Sequence, residues 1–354
     1  MTGGEYDNGI GGGVLAPKAG NAGGTAFVDN CVVSNCWART GGDTWGGILN
    51  KCVIRGGKGN SGSTCARYAR LYQCVCDPLG DNTTVGYHYG IYSSTIYGTG
   101  GSNNYELNAA DGTSPIENSV LLTKCGSLDK ATKPCVLKNF RNCIWFTSGA
   151  KYDEGEYAGQ YQYQLDEASS VNVTKITDRA EAGLDAAYRP TRGSIAIDAG
   201  DGTLLANLPD AETDVAGNQR VSNGRVDLGA CEYDWRGDYA AALGCGKRAS
   251  VAEVSSAVKL EESALTIPAG CEVSFGWTPR IAGETATLTV STVESGARLL
   301  VYRGDELVQA ITAAGECEIA AGAAETEVKL VAEGGSVTVT GFKPMRLGFS
   351  IIVR

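Results

Sequence analysis

A short phrase returns along the first half of the chain at nearly constant spacing: a polar residue, then Cys, Ser or Thr, then a β-branched or aliphatic residue. It occurs as Asn30-Cys31-Val32, Lys51-Cys52-Val53, Gln73-Cys74-Val75, Ser94-Thr95-Ile96, Asn118-Ser119-Val120 and Asn142-Cys143-Ile144, with steps of 21, 22, 21, 24 and 24 residues between the middle positions. Such a period is too long for a hairpin and too short for a domain, and it matches one coil of a solenoid. Short strands joined by turns cannot bury their own inner face, so successive coils stack over one shared core, about 4.8 Å apart. Equivalent residues then form columns. The spacing predicts an interior column of Cys31, Cys52, Cys74, Thr95, Ser119 and Cys143, small and weakly polar. Val33, Ile54, Val75 and Leu121 flank it with strand propensity.

Between rungs the chain is rich in glycine, as in Gly56-Gly57-Lys58-Gly59 and Gly98-Thr99-Gly100-Gly101, residues suited to tight turns. The 49 glycines are about double the average share, while aliphatic and aromatic residues are too many for a disordered chain. A folded, turn-rich, mainly β protein is expected. No segment is long and apolar enough for a transmembrane helix, and the start lacks the basic and apolar regions of a signal peptide. The repeat-like pattern begins without an amphipathic cap, so the chain reads as part of a longer secreted precursor or a form whose leader has gone. A net charge of −10 argues against nucleic acid and anionic membrane as partners. The 13 cysteines include no paired CxxC units and there is one histidine, so a zinc site is not expected. Column cysteines are expected as thiols, because parallel stacked side chains conflict with the torsion a bridge prefers. Cys125 with Cys135 and Cys271 with Cys317 are the pairs to test for bridging.

A second region, Ser194 to Tyr233, reads Ser194-Ile195-Ala196-Ile197-Asp198-Ala199-Gly200-Asp201, then Asp214-Val215-Ala216-Gly217-Asn218-Gln219-Arg220, then Gly224-Arg225-Val226-Asp227-Leu228-Gly229-Ala230-Cys231-Glu232-Tyr233. Three separated blocks in this order resemble the closing segment of the bacterial choice-of-anchor Q domain surface proteins. The resemblance covers roughly residues 1–234 and implies a right-handed parallel β-helix of the pectate-lyase-like superfold, secretion and a cell-surface setting, but no reaction. Read from the residues alone, Asp198, Asp201, Asp214 and Asp227 adjoin turns where carboxylates accept backbone N–H bonds. Arg220 and Arg225 are placed to pair with them. This makes the segment an end piece of the helix, with calcium at these acids as the sharper alternative.

After Cys245 the repeat phrase disappears, and Ala286-Thr287-Leu288-Thr289-Val290 and Ser336-Val337-Thr338-Val339-Thr340 alternate with period two. Arg303-Gly304-Asp305-Glu306 lies between two apolar runs and reads as a hairpin turn; its Arg-Gly-Asp triplet is read as turn chemistry. Phe275-Gly276-Trp277-Thr278-Pro279 followed by Gly283-Glu284-Thr285 resembles the jelly-roll modules of secreted bacterial enzymes. The expected fold is therefore all-β, a right-handed parallel β-helix over 1–245 including the closing segment 194–234, then a small antiparallel, jelly-roll-like β-sandwich over 246–354.

Hydrolysis of a polysaccharide between two carboxylates needs paired acids on one face, and Asp43, Asp77, Asp81 and Asp111 fall in turns at unequal phases, which disfavours a hydrolase. A lyase needs a base and a cation that neutralises the substrate carboxylate. Arg55, Lys58, Arg67, Arg70, His88 and Tyr89 are the candidates, against the plainer reading that the basic residues solvate turns and His88 packs on its aromatic neighbours. Tyr87, Tyr89, Tyr92 and Tyr97, with Tyr152, Tyr157 and Tyr161, are candidates for stacking on sugar rings or anchoring a protein, against ordinary packing at coil ends. Trp37, Trp45 and Trp145 read as packing residues. The expected role is a non-catalytic, adhesin-like or glycan-binding scaffold, secreted or on the surface of a bacterium, with a polysaccharide, surface glycan or protein as partner. No membrane insertion and no cofactor other than calcium is expected. The alternatives are a polysaccharide lyase acting on an acidic glycan, and a structural subunit of a surface layer or filament, self-associating through an open coil end.

Overall fold

The structure is a computed structural model that describes residues 5–10, 12–16, 26–40, 42–57, 65–79, 85–98, 105–106, 114–123, 126–127, 135–147, 156, 158–160, 163–222, 224–246, 248–255, 257–261, 263–279, 281, 283–322 and 326–344. The chain divides into two compact units, residues 1–221 with 225–233, and residues 222–224 with 234–354.

The first unit is a parallel β-solenoid whose coils contribute to three ladders. One ladder stacks Phe27–Asp29, Ile48–Asn50, Arg70–Tyr72, Ile91–Tyr92, Ile116–Glu117 and the start of Phe140–Phe146. A second stacks Val32–Ser34, Val53–Arg55, Val75–Asp77, Thr95–Tyr97, Val120–Leu122, the end of Phe140–Phe146 and then Val171–Ile176. A third, shorter ladder stacks Val14–Leu15, Thr44–Trp45, Ala66–Arg67 and Val85–Gly86.

The repeated phrase is the corner between the first two ladders. Asn30, Lys51, Gln73, Ser93, Asn118 and Asn142 all have φ between +46° and +51°, a left-handed conformation in which Asn is enriched. The next residue is Cys31, Cys52, Cys74, Ser94, Ser119 or Cys143. Each donates its S–H or O–H to the carbonyl two residues before it, at 2.7–3.3 Å. A small side chain with one donor is what this corner demands, since it must fit in the stack and close the bend on its own backbone. Ser119 also accepts from Ser94 N–H and Ser94 from Cys74 N–H, which ties one rung to the next.

Two sequence expectations shift by one residue here. In the fourth rung the corner is Ser93-Ser94-Thr95, so Ser94 occupies the interior column and Thr95 faces outward. The expectation reads the alternation correctly in five rungs and slips where three hydroxyl residues run together; Cys31, expected in the interior column, is exposed, because its coil stands at the end of this ladder and no further coil covers it among the described residues. Likewise Val75 pairs in register with Val53 on the outer side, and Cys76 is the inner partner of Ile54. The interior is built from Leu49, Cys52, Ile54, Leu71, Cys74, Cys76, Ile91, Ile96, Leu121, Cys143 and Trp145, all buried.

The outer side of the second ladder is apolar as well, and this explains the segment from Ala182 to Tyr233. Val75, Val120, Leu122, Ile144 and Phe146 on the ladder are buried against Ala182, Ala196, Leu228, Ala230 and Cys231. Each such aliphatic contributes about 1.5–3 kcal/mol when removed from water. The segment is thus a lateral cover and not the end piece that the sequence suggested. It bonds to successive coils: Lys51 and Gln73 to Asp210, Thr95 Oγ1 from Ala230 N–H, and Asn118 reciprocally to the backbone of Asp201 at 2.9 Å each way.

The second unit is a sandwich of two five-stranded antiparallel sheets. One has the order Ala249–Val254, Glu272–Trp277, Thr326–Glu333, Arg298–Arg303, Glu306–Ile311, and the other Lys259–Glu261, Ala264–Ile267, Val337–Pro344, Thr285–Val293, Gly315–Ala320. Phe275 stacks on Phe342 at 4.6 Å with Trp277 edge-on at 6.1 Å in the core. Gly304-Asp305 forms the turn between its strands, with Arg303 paired to Glu306 at 2.7 Å. The helix Arg236–Ala242 belongs with this core, where Tyr239, Leu243 and Cys245 are buried. The sequence had placed these residues before the boundary. Cys271 and Cys317, the pair named for bridging, are separate thiols, while Cys125 lies outside the described residues.

Candidate functional site

The corner between the third and first ladders carries an aromatic column. Gly46, Tyr68 and Tyr87 turn this corner with φ of +74°, +55° and +51°, and the strands before them end at Trp45, Arg67 and Gly86, which are in register. Trp45 meets Tyr68 edge-on at 4.8 Å, and Tyr68 stacks on Tyr87 at 5.2 Å. The Arg67 guanidinium lies 5.4 Å from the Trp45 ring, 5.4 Å from Tyr68 and 4.8 Å from Tyr87. Stacking of coils brings rings that are about twenty residues apart into direct contact, and the guanidinium is held against their faces by cation–π attraction. All four side chains are half-buried.

Further along the same coils Tyr72 stacks on Tyr92 at 4.8 Å, and Arg70 Nε donates to the Tyr89 carbonyl at 3.1 Å. Of the residues singled out in the sequence, this side therefore gathers Arg67, Arg70, Tyr87, Tyr89 and Tyr92. His88 is buried beside them, 1% exposed. Trp45, read as a packing residue, and Tyr68 belong to the column. The sequence signal for them was available: Gly46, Tyr68 and Tyr87 precede the next corner residue, Lys51, Gln73 or Ser93, by 5, 5 and 6 positions.

The other candidates lie elsewhere. Arg55 is at the far end of the second ladder, in register with Asp77, whose carboxylate accepts the Tyr188 hydroxyl at 2.7 Å. Tyr97 is in the same region, 5.2 Å from Tyr188 and beneath Arg179, whose Nε donates to the Leu122 carbonyl. Lys58, Tyr152, Tyr157 and Tyr161 lie outside the described residues.

Glu232 and Asp227 of the covering segment gather at a buried arginine. Arg220 is fully buried with NH1 2.9 Å from Glu232 Oε1, and its NH2 donates to the carbonyls of Gly229 and Asp227. Glu232, which the sequence had not singled out, also accepts from Asp227 N–H. Asp227 accepts from Asp198 N–H at 2.7 Å and Tyr233 N–H at 2.5 Å. Asp214 accepts from the N–H groups of Ala216, Asn218 and Glu232. Asp201 caps the turn at Thr203, whose donors hold its carboxyl below the usual range. Burial pushes Asp227 up to about 6 and Glu232 upward against the pull of Arg220. The three sequence blocks are thus folded into one charged knot in which backbone donors engage Asp214 and Asp227, while Asp198 Oδ1 is buried with no hydrogen-bond partner among the described residues and Asp198 Oδ2 lies 3.7 Å from Arg225. Among the described residues no three His, Cys, Asp or Glu side chains converge so as to hold a metal ion.

No protein-family model and no curated protein matches the chain. Among solved structures it is similar to the enzymatically active domain of bacteriophage CBA120 tailspike protein 4, at 14% identity and a TM-score of 0.18, over 88% of this chain and 51% of that one. The chain thus spans about half the length of the tailspike domain it matches.

Proposed function

We propose that the chain is a non-catalytic glycan-binding scaffold of a bacterial cell surface, akin to the choice-of-anchor Q proteins. The observation that carries this reading is the column of Trp45, Tyr68 and Tyr87 on the corner of three successive coils, continued by Tyr72 and Tyr92. The half-buried rings of Trp45, Tyr68, Tyr87 and Tyr92, with Tyr72 buried beneath Tyr92 as support, offer apolar surface and phenolic hydroxyls at little conformational cost, the combination that suits sugar rings. The experiment is retention of the purified protein on a panel of immobilised polysaccharides, compared with Tyr87→Ala. Retention of at least one polymer, weakened tenfold or more by the substitution, is expected; absence of retention on every polymer refutes the reading.

The second reading is a polysaccharide lyase, favoured by Arg67, Arg70 and Tyr89 lying on one corner, where a cation could neutralise a uronate carboxylate and a phenol could carry a proton. Ultraviolet absorbance of unsaturated products, followed in the same panel, decides between them. A rising signal with any polymer replaces the scaffold reading with the lyase.

A further inference from the structure

We propose that the Trp45, Arg67, Tyr68 and Tyr87 corner selects anionic polysaccharides, with the Arg67 guanidinium pairing a carboxylate or sulfate on the sugar. The proposal rests on the glycan-binding reading above and names the ligand class. The chain as a whole carries a net charge of −10, yet the residues that form this corner, 45–48, 67–70 and 86–90, include Arg67 and Arg70 and no acid. Elsewhere arginines meet carboxylates: Arg141 with Glu117, Arg220 with Glu232, Arg248 with Glu284 and Arg298 with Glu333. Arg67 meets three rings instead, and its Nε is buried with no hydrogen-bond partner among the described residues. A half-buried guanidinium loses hydration that the rings replace only in part. An anion arriving from solvent meets the Nη1 and Nη2 edge of the guanidinium, whose planar fork matches a carboxylate or sulfate bidentately while the rings hold it in place. A sugar bearing that anion would lie along the adjoining tyrosines. Single-stranded polynucleotide also pairs anions with flat rings, and an oligonucleotide is therefore the competing arm of the test.

The test is affinity electrophoresis of the whole chain in gels containing polygalacturonate, its fully methyl-esterified form, a sulfated glycosaminoglycan, or single-stranded oligonucleotide, at two salt concentrations. The expected result is retardation by polygalacturonate or the sulfated polymer, at least tenfold weaker with the methyl ester, reduced by salt, and abolished in Arg67→Gln with unfolding temperature unchanged. The two acidic polymers identify whether carboxylate or sulfate is taken. Equal retardation by the acid and its neutral ester refutes the anion selectivity while leaving glycan binding intact. Retardation by no polysaccharide refutes both. Preferential retardation by the oligonucleotide overturns the ligand class. If Arg67→Gln fails to fold, the ester comparison and the salt dependence of the unaltered protein still decide.

Discussion

Replacing Arg220 by methionine removes the cation at the centre of the covering segment while keeping most of the side-chain volume. Arg220 is wholly buried, its ion pair with Glu232 is 2.9 Å long, and two carbonyls depend on its NH2 group. Breaking a buried pair from one side costs about 3–5 kcal/mol, because the remaining charge is stranded. Glu232 can relieve this by taking a proton, and burial already moves its carboxyl in that direction. Its folded-state pKa lies above the unfolded one, so the folded form is favoured where Glu232 is protonated and loses stability as the pH rises. Arg220→Met is therefore expected to cost about 3–5 kcal/mol at pH 7.5 and less at pH 5, by roughly 1.4 kcal/mol for each pH unit over which Glu232 titrates. Arg220→Met with Glu232→Met should recover most of the loss, since an apolar replacement of both partners is often neutral. Urea unfolding followed by fluorescence, in which Trp145 reports on the buried interior of this unit, reads all three variants. A loss under about 1 kcal/mol at pH 7.5, or a double variant no more stable than the single one, would refute the argument that the pair holds the cover down.

Burial likewise pushes the Asp43 carboxyl up to about 7, while its Oδ1 accepts from Cys36 N–H. Folding then takes up a proton between the ordinary carboxylate range and pH 7, so this group's contribution is most favourable at low pH and declines as the pH rises. Asp43→Asn is expected to match the parent near pH 4 and exceed it by about 2–4 kcal/mol at pH 8; parallel pH profiles of the urea midpoint would contradict this. At the ladder corner, Ser119→Ala leaves the Glu117 carbonyl and the Ser94 N–H each short of a partner and should cost about 1–3 kcal/mol. Ser119→Cys should cost less, because cysteine fills the same position in four other rungs, and differential scanning calorimetry separates the two. In a thiol-labelling time course, Cys31 should react first, being exposed. Cys143, with burial pushing its thiol up to about 12, should react only on unfolding; fast labelling of Cys143 in the native protein would contradict the packing described.

The solenoid was legible because its cause is local and repeated. Each corner needs a residue tolerant of positive φ followed by a small donor, and that demand writes Asn-Cys or Asn-Ser into the chain every twenty-odd residues. The same logic made the sandwich readable, since half-buried antiparallel strands must alternate. The misreading at Ser93-Ser94-Thr95 shows where the rule runs out: three hydroxyl residues in a row satisfy the corner in more than one register, and only the pairing of Thr95 with Val75 and Val120 selects one.

The cover shows the same division. Pairs such as Val53-Ile54, Val75-Cys76 and Val120-Leu121 put apolar groups on both faces of a ladder, which requires something to bury the outer one. The acid and arginine blocks at 194–233 were visible as a unit, but whether they closed an end or lay along a side depended on contacts with Lys51, Thr95 and Asn118, more than eighty residues away. The binding corner needed the fold most of all. The sequence by itself determined that coils would stack, where most of their corners would fall and that the last third would be a sandwich, because these follow from backbone conformation and alternation over a few residues. Only the tertiary structure decided that Trp45, Arg67, Tyr68 and Tyr87 meet and that Arg55 and Tyr97 lie elsewhere, because the number of residues per coil varies and the phase of each side chain accumulates that variation.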